Sequence, residues 1–210
     1  MFGDSVAFGA NGDNGGWVDI LRRAAFRQIE ATKGAEKAHI FNLGVGWGDS
    51  RNVLARAENE ILARVIDGWE TEVAVAVGTN DARFLAGEEF MTESEFRENL
   101  AKIFKTIKKF TEKIYFVEPS RLGKSRFDFL VENTFDEKRL REFAKIAREV
   151  CEETGVEFIE LAPEFSRDDG SPDLELVSFD NLHPNSRGHE VIAKVVGARL
   201  NITPENLTEG

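Results

Sequence analysis

The sequence holds 210 residues, enough for a single domain over 1–210 with a sizeable core, and no internal repeat or low-complexity stretch divides it. Asp and Glu total 38 against 27 Lys and Arg, a formal net charge of −11 that disfavours nucleic acid and anionic membrane surfaces as partners. Cys151 is the only cysteine, which excludes an internal disulfide and leads to the expectation of a reducing, cytoplasmic setting with no export leader and no membrane span.

In chain order, Met1-Phe2-Gly3-Asp4-Ser5 comes first, with Gly3-Asp4-Ser5 reading as the turn that follows a strand. Only Met1 and Phe2 precede it, so that strand is nearly absent, or the true start lies elsewhere, or something else fills its place. Gly9 to Gly16 reads as a flexible surface loop; it lacks the Gly-Lys-Ser/Thr of a phosphate loop. Trp17 to Ala31 reads as a helix, His39 to Leu43 as a strand, and roughly Arg51 to Asp67 as a second helix. Glu72 to Val77 is a strand whose continuous Val73-Ala74-Val75-Ala76-Val77 run predicts cover on both faces.

Phe96, Leu100, Ile103, Phe104, Ile107 and Phe110 share one helical face. Lys113 to Glu118 is the next strand, and Arg121 to Phe135 is a loop rich in apolar surface, with Phe127, Phe129, Leu130 and Phe135. Those aromatics either cover the sheet or, with Arg83-Phe84-Leu85, line an acyl or leaving-group pocket. Leu140, Phe143, Ala147, Val150 and Cys151 mark a fourth helix, Val156 to Leu161 a last strand, and Val191, Ile192, Val195 and Val196 a fifth helix. Asn201-Ile202-Thr203 and Asn206-Leu207-Thr208 have the letters of glycosylation acceptors, a use that requires export.

Alternating strands and helices predict an α/β fold in three α/β/α layers around a four- to five-stranded parallel sheet. In such a sheet, ligands bind beyond the carboxyl ends of the strands. Gly3-Asp4-Ser5, Gly44 to Ser50 and Gly78-Thr79-Asn80-Asp81 each follow a strand, and Asp180-Asn181-Leu182-His183 precedes the last helix. All four can therefore meet at one edge. A serine hydroxyl needs a histidine to take its proton and a third group to orient that histidine. Ser5, His183 and Asp180 are candidates for those roles, with Asp180 three residues before the imidazole it would hold. Asn80 can donate to an oxyanion without carrying a proton that might be lost.

These four blocks, in this order and over nearly the whole chain, resemble the SGNH (GDSL-type) hydrolase family. The resemblance implies a flavodoxin-like fold, with Ser5 as nucleophile, His183 as general base and Asp180 as its orienting acid. It implies an oxyanion hole from the Ser5 N–H, a glycine N–H and the Asn80 amide, and no metal or organic cofactor. The glycine falls among Gly46, Trp47 and Gly48, and Gly48 is the choice because a sharp turn favours glycine. The function implied is cleavage of a small-molecule carboxylic ester through an acyl-enzyme. The rival is a non-catalytic ligand-binding or scaffolding module on the same fold.

Other motifs have plainer readings. Gly48-Asp49-Ser50 repeats the letters of the first block but follows the second strand, so Asp49 or Ser50 should cap the next helix. A dinucleotide fingerprint starting at Gly44 would need glycine or alanine where Asp49 stands. His39 reads as structural and His189 as a helix-surface or packing residue, and Asp180, His183 and His189 match no zinc spacing. No Gly-x-Ser-x-Gly elbow surrounds Ser5 or Ser50.

Overall fold

The computed structural model describes residues 1–13, 15–128 and 130–204. In chain order its elements are β1 (Phe2–Gly3), α1 (Ser5–Phe8), α2 (Trp17–Ala31), β2 (Leu43–Gly44), α3 (Ser50–Leu62), β3 (Val73–Ala76), β4 (Phe84–Leu85), β5 (Glu88–Glu89), α4 (Glu93–Ile107), β6 (Ile114–Val117), β7 (Ser125–Phe127), β8 (Asn133–Phe135), α5 (Glu137–Thr154), β9 (Glu157–Ile159) and α6 (Ser186–Arg199). Phe129 and the acceptor-like triplet at 206–208 lie outside the described residues.

Five strands form one parallel sheet in the order β2-β1-β3-β6-β9. The alternation along β3 builds the layers. Val73 and Val75 pack with Val53 of α3, Leu100 and Phe104 of α4 and Phe143 of α5, whereas Ala74 faces Trp17 and Leu21 of α2 and Ile192 of α6. One residue type thus serves each face, and the small alanine leaves space for the indole of Trp17, which is fully buried. Both faces are covered, which is why the strand reads as a continuous apolar run rather than an alternating one.

Side chains set the helix starts by taking up amides that have no partner in the first turn. Asp49 accepts from Asn52 N–H at 3.0 Å, Asp136 from Arg139 N–H at 3.0 Å and Asn185 from Gly188 N–H at 3.0 Å. Of the two expected caps for α3, Asp49 is the one used; Ser50 is fully buried, with its amide on Asp81. α2 begins at Gly16 without a side-chain cap of its own, and its Trp17 amide instead points at Nδ1 of His189, 3.3 Å away.

One open alternative closes and two expectations need correction. The fifth strand is present: β1 sits in the centre of the sheet, but with only two residues, paired to Leu43 and Gly44 on one side and Val75 and Ala76 on the other. The expected strand at 39–43 shrinks to Leu43–Gly44, because an edge strand needs a ladder partner and β1 pairs only with Leu43 and Gly44, with the Met1 amine reaching no further than Phe41 O at 2.9 Å. A cavity of about 710 Å³ opens there instead, ahead of Met1, between Ile40 and Phe41 on one wall and Val73 and Ala74 on the other. Finally, the segment read as a loop from Arg121 to Phe135 contains two strands. β7 and β8 join β4 and β5 in a second, antiparallel sheet ordered β5-β4-β8-β7.

Candidate active site

Ser5 opens α1 directly after β1. Asp4 caps that short helix by accepting from Val6 N–H at 2.8 Å, and Gly9, at φ 103°, ends it one turn later. The backbone must run close here. A Cβ on Gly3 would stand 2.4 Å from the Ala7 Cβ, and one on Gly44 would stand 2.2 Å from the Phe8 amide nitrogen. Glycine at these two positions lets α1 lie against β2 and presents the Ser5 hydroxyl at the carboxyl edge of the sheet.

His183 arrives from the other end of the chain. Its Nε2 lies 2.8 Å from Ser5 Oγ, and its Nδ1 lies 2.7 Å from Asp180 Oδ2. The Asp180 carboxylate folds back over its own loop. Oδ1 accepts from the amides of Leu182 and His183, both at 3.0 Å, and Oδ2 also accepts from Asn11 Nδ2 at 2.8 Å. Burial pushes the Asp180 carboxyl up, but the His183 side chain, the two backbone amides and the charge of His183 outweigh it and hold the group below the usual carboxylate range. It stays anionic at neutral pH, so it keeps the His183 proton on Nδ1 and leaves Nε2 to face the hydroxyl. Ser125 Oγ donates to the Asp180 carbonyl at 2.7 Å, tying this loop to β7.

Asn80 is buried beside them, in the turn after β3. Gly78 enters that turn at φ 130°, where only glycine is at ease. One Asn80 amide hydrogen goes to Gly48 O at 2.9 Å, which leaves the second Nδ2 hydrogen for another acceptor. The Gly48 N–H, expected as an oxyanion donor, is turned onto Val45 O at 2.9 Å and closes a tight turn from Val45 to Gly48. A Cβ on Gly48 would meet that carbonyl at 2.8 Å, so the turn demands glycine there. Trp47 within it holds φ 61°, a strained value for a bulky residue. Its half-exposed ring packs on Phe127 and Phe135 of the second sheet, with centroids 6.0 and 6.4 Å away, and Arg83 stands over it at 5.7 Å. Of the apolar side chains expected in the 121–135 segment, Phe135 is buried in the core with Phe127 packed against it, Leu130 is exposed, and Phe129 lies outside the described residues.

Two acids under the site are unusual. Burial pushes the Asp4 carboxyl up to about 7, with the neighbouring Asp81 adding to the effect against the Val6 bond. Burial likewise raises Asp81 to about 6; its Oδ1 accepts from Ser50 N–H at 2.9 Å, while its buried Oδ2 has no partner among the described residues.

His189, expected as a surface or packing residue, is fully buried, with Nε2–H donating to Ala10 O at 2.9 Å and Nδ1 accepting from Trp17. Both nitrogens are spent on the backbone, and no group of three or more His, Cys, Asp or Glu is arranged to hold a metal among the described residues. The cavity ahead of Met1 is far from this chemistry, at the amino end of the sheet, and contains neither Ser5 nor His183 in its walls. Sequence reasoning missed Asn11 and Ser125. Neither stands in a periodic pattern, and asparagine's ease with positive φ, which Asn11 adopts at 63°, was the only signal for the first.

The sequence profile of the GDSL-like Lipase/Acylhydrolase family matches residues 1–191, and the chain belongs to that family. Solved structures of the same fold include the lipase/acylhydrolase from Enterococcus faecalis, 24% identical, covering 98% of this chain and 96% of its own, with a TM-score of 0.71. An alpha/beta hydrolase enzyme from the metagenome of Lake Arreo, Spain, is 20% identical, with coverages of 96% and 93% and a TM-score of 0.72. A variant of an acetyl xylan esterase from Geobacillus stearothermophilus is 17% identical, with coverages of 96% and 93% and a TM-score of 0.71. A comparison of the sequence with curated proteins found no match.

Proposed function

We propose that the chain is a serine esterase that cleaves carboxylic esters through an acyl-enzyme on Ser5. The observation that carries this reading is the continuous line from Ser5 Oγ to His183 Nε2 at 2.8 Å and from His183 Nδ1 to Asp180 Oδ2 at 2.7 Å. As Oγ bonds to the ester carbonyl carbon, its proton passes to Nε2, and the carbonyl π pair moves onto oxygen. The Asp180 carboxylate stabilises the imidazolium so formed. The Ser5 amide, which has no intrahelical acceptor at the first position of α1, and the spare hydrogen of Asn80 Nδ2 stabilise the oxyanion. The Gly48 N–H joins them when its bond to Val45 is shared or released. Collapse expels the alkoxide, which takes the proton from Nε2. Water then repeats the sequence and frees the acid.

Family membership and the likeness to acetyl xylan esterases support esters of small acyl groups. Ser5 and His183 are half-buried at an open edge of the sheet, consistent with a substrate whose leaving group stays outside, against Trp47. A cytoplasmic setting is part of the same proposal. It rests on the single, buried Cys151, whose thiol burial pushes up to about 12, far from the reactive thiolate. No helix among the described residues is long and apolar enough to cross a membrane.

Ser5→Ala tests the reading: hydrolysis of a chromogenic acetyl ester should fall by at least ~10³. A fluorophosphonate should label Ser5 and leave the buried Ser50 untouched. No turnover across a panel of esters, together with no labelling, would replace the esterase by a non-catalytic binding module on the same fold.

A further inference from the structure

The two ends of the chain meet at the site through more than the serine–histidine contact. Asn11 Nδ2 donates to Asp180 Oδ2 at 2.8 Å across 169 residues, onto the same oxygen that accepts from His183 Nδ1. Three features aim it there. α1 stops after four residues at Gly9, whose left-handed backbone turns the chain back toward the site. Asn11 itself sits at φ 63°, which asparagine tolerates better than other residues with a Cβ. The loop is then fastened to α6 on either side of Asn11. His189 Nε2–H holds Ala10 O at 2.9 Å, and Ser186 Oγ bridges the Asp13 amide at 3.0 Å and the Asp13 carboxylate at 2.8 Å.

We propose that Asn11 is a positioning residue of the triad: it couples the segment that carries Ser5 to the loop that carries Asp180, through the oxygen that holds His183. This rests on the esterase reading for its kinetic consequence. Asp180 Oδ1 is already placed by the amides of Leu182 and His183. Asn11 acts on the other oxygen. It fills the lone pair that His183 leaves, keeps water off it and disperses the carboxylate charge that the imidazolium meets. Removing the amide concentrates that charge beside the ring and loosens Oδ2, so the imidazole is less well aimed. Of the titratable groups nearby, His189 on α6 interacts electrostatically with His183; β7 contributes the neutral Ser125, and the Asp13 carboxylate is held by Ser186.

Asn11→Gly deletes the amide while keeping a residue that accepts φ 63°. Against a chromogenic acetyl ester, kcat should fall by roughly tenfold with KM within about twofold, and the acidic limb of the kcat/KM profile should move up by about half a pH unit. Asn11→Asp, isosteric but anionic beside Asp180, should lose more and move the limb further. Asp13→Ala removes only the carboxylate half of a neighbouring tether, because the residue 13 amide still reaches Ser186 Oγ and His189 still holds Ala10 O, and should leave kcat within about twofold and the limb in place. A readout independent of turnover is the proton resonance of the His183 Nδ1–H. It should shift or broaden in Asn11→Gly and stay put in Asp13→Ala. An unmoved resonance and limb in Asn11→Gly, or equal losses in Asp13→Ala, would overturn the positioning role. A resonance that responds to Asn11→Gly in a protein that hydrolyses no ester would uphold the coupling and remove the esterase reading alone.

Discussion

At the scale of single residues, the site is built on carboxyl groups with opposite fates. Asp180 gathers hydrogen-bond donors and is held anionic, whereas Asp4, one residue before Ser5, is so deeply buried that its backbone partners do not offset the loss of water, and it is pushed up to about 7 from 3.8. Its folded form takes a proton more readily than its unfolded form. The stability this provides is fully present below pH ~4 and drains away as pH climbs through ~7, a difference of roughly 4 kcal/mol at most. Asp81, raised to about 6, adds a similar slope over a narrower window. Asp4→Asn keeps the cap oxygen and removes the charge. Its melting temperature should exceed the parent's by several degrees at pH 8 and match it near pH 4. Parallel melting curves for the two proteins across that range would show that the carboxyl is not driving the pH dependence.

At the scale of elements, the turn from Val45 to Gly48 and the second sheet act together. The turn holds Trp47 in a strained backbone, and β7 and β8 supply the phenylalanines that receive its ring. Strain kept in a half-exposed turn after β2, rather than in the core, is what a substrate-shaping residue would show on the proposed esterase reading. Trp47→Gly separates the two effects. Glycine relieves the backbone, so thermal stability should hold or rise by up to ~1 kcal/mol, while KM for esters with bulky leaving groups should rise several-fold and kcat stay close to the parent's. A fall in kcat with KM unchanged would assign the ring to the chemistry instead. The second sheet was hidden because its strands are two or three residues long, too short to show a period of two, and because its two hairpins meet only through β4 and β8, whose partners lie 48 to 50 residues apart.

At the scale of the whole molecule, the sheet is complete at its carboxyl end and open at its amino end. The Met1 amine donates to Phe41 O at 2.9 Å, continuing the β1–β2 ladder, and burial, with Arg56 and Arg64 nearby, lowers its pKa to about 5. Ahead of it lies the cavity of about 710 Å³, a slot whose walls mix apolar side chains such as Ile40, Ile61 and Val73 with charged ones such as Glu36, Arg64 and Glu72. Fusing four or five extended, valine-rich residues before Met1 should fill that slot as a strand. Each buried side chain would contribute ~1.5–3 kcal/mol against ~1–2 kcal/mol of backbone entropy, with ladder hydrogen bonds added, so the melting temperature should rise by on the order of 10 °C. An unchanged melting temperature, with no new amide protection at residues 39 to 42, would mean that the slot does not accept a strand. The site, at the opposite edge, should keep its activity.

Local chemistry alone determined much of this protein. Periodicity placed the five long helices within a few residues, the unbroken Val-Ala run of β3 announced a sheet covered on both faces, and three short blocks named Ser5, Asn80, Asp180 and His183. Those features are legible because each depends on residues close together in the chain. Tertiary structure decided the rest: that two residues suffice for a central strand when neighbours pair with both its edges, that scattered dipeptides assemble into a second sheet, that His189 caps a helix 172 residues away, and that Asn11 reaches Asp180. A hydrogen bond across 169 residues leaves no period and no spacing in the sequence, because its geometry exists only once the sheet has brought the two ends of the chain to one edge.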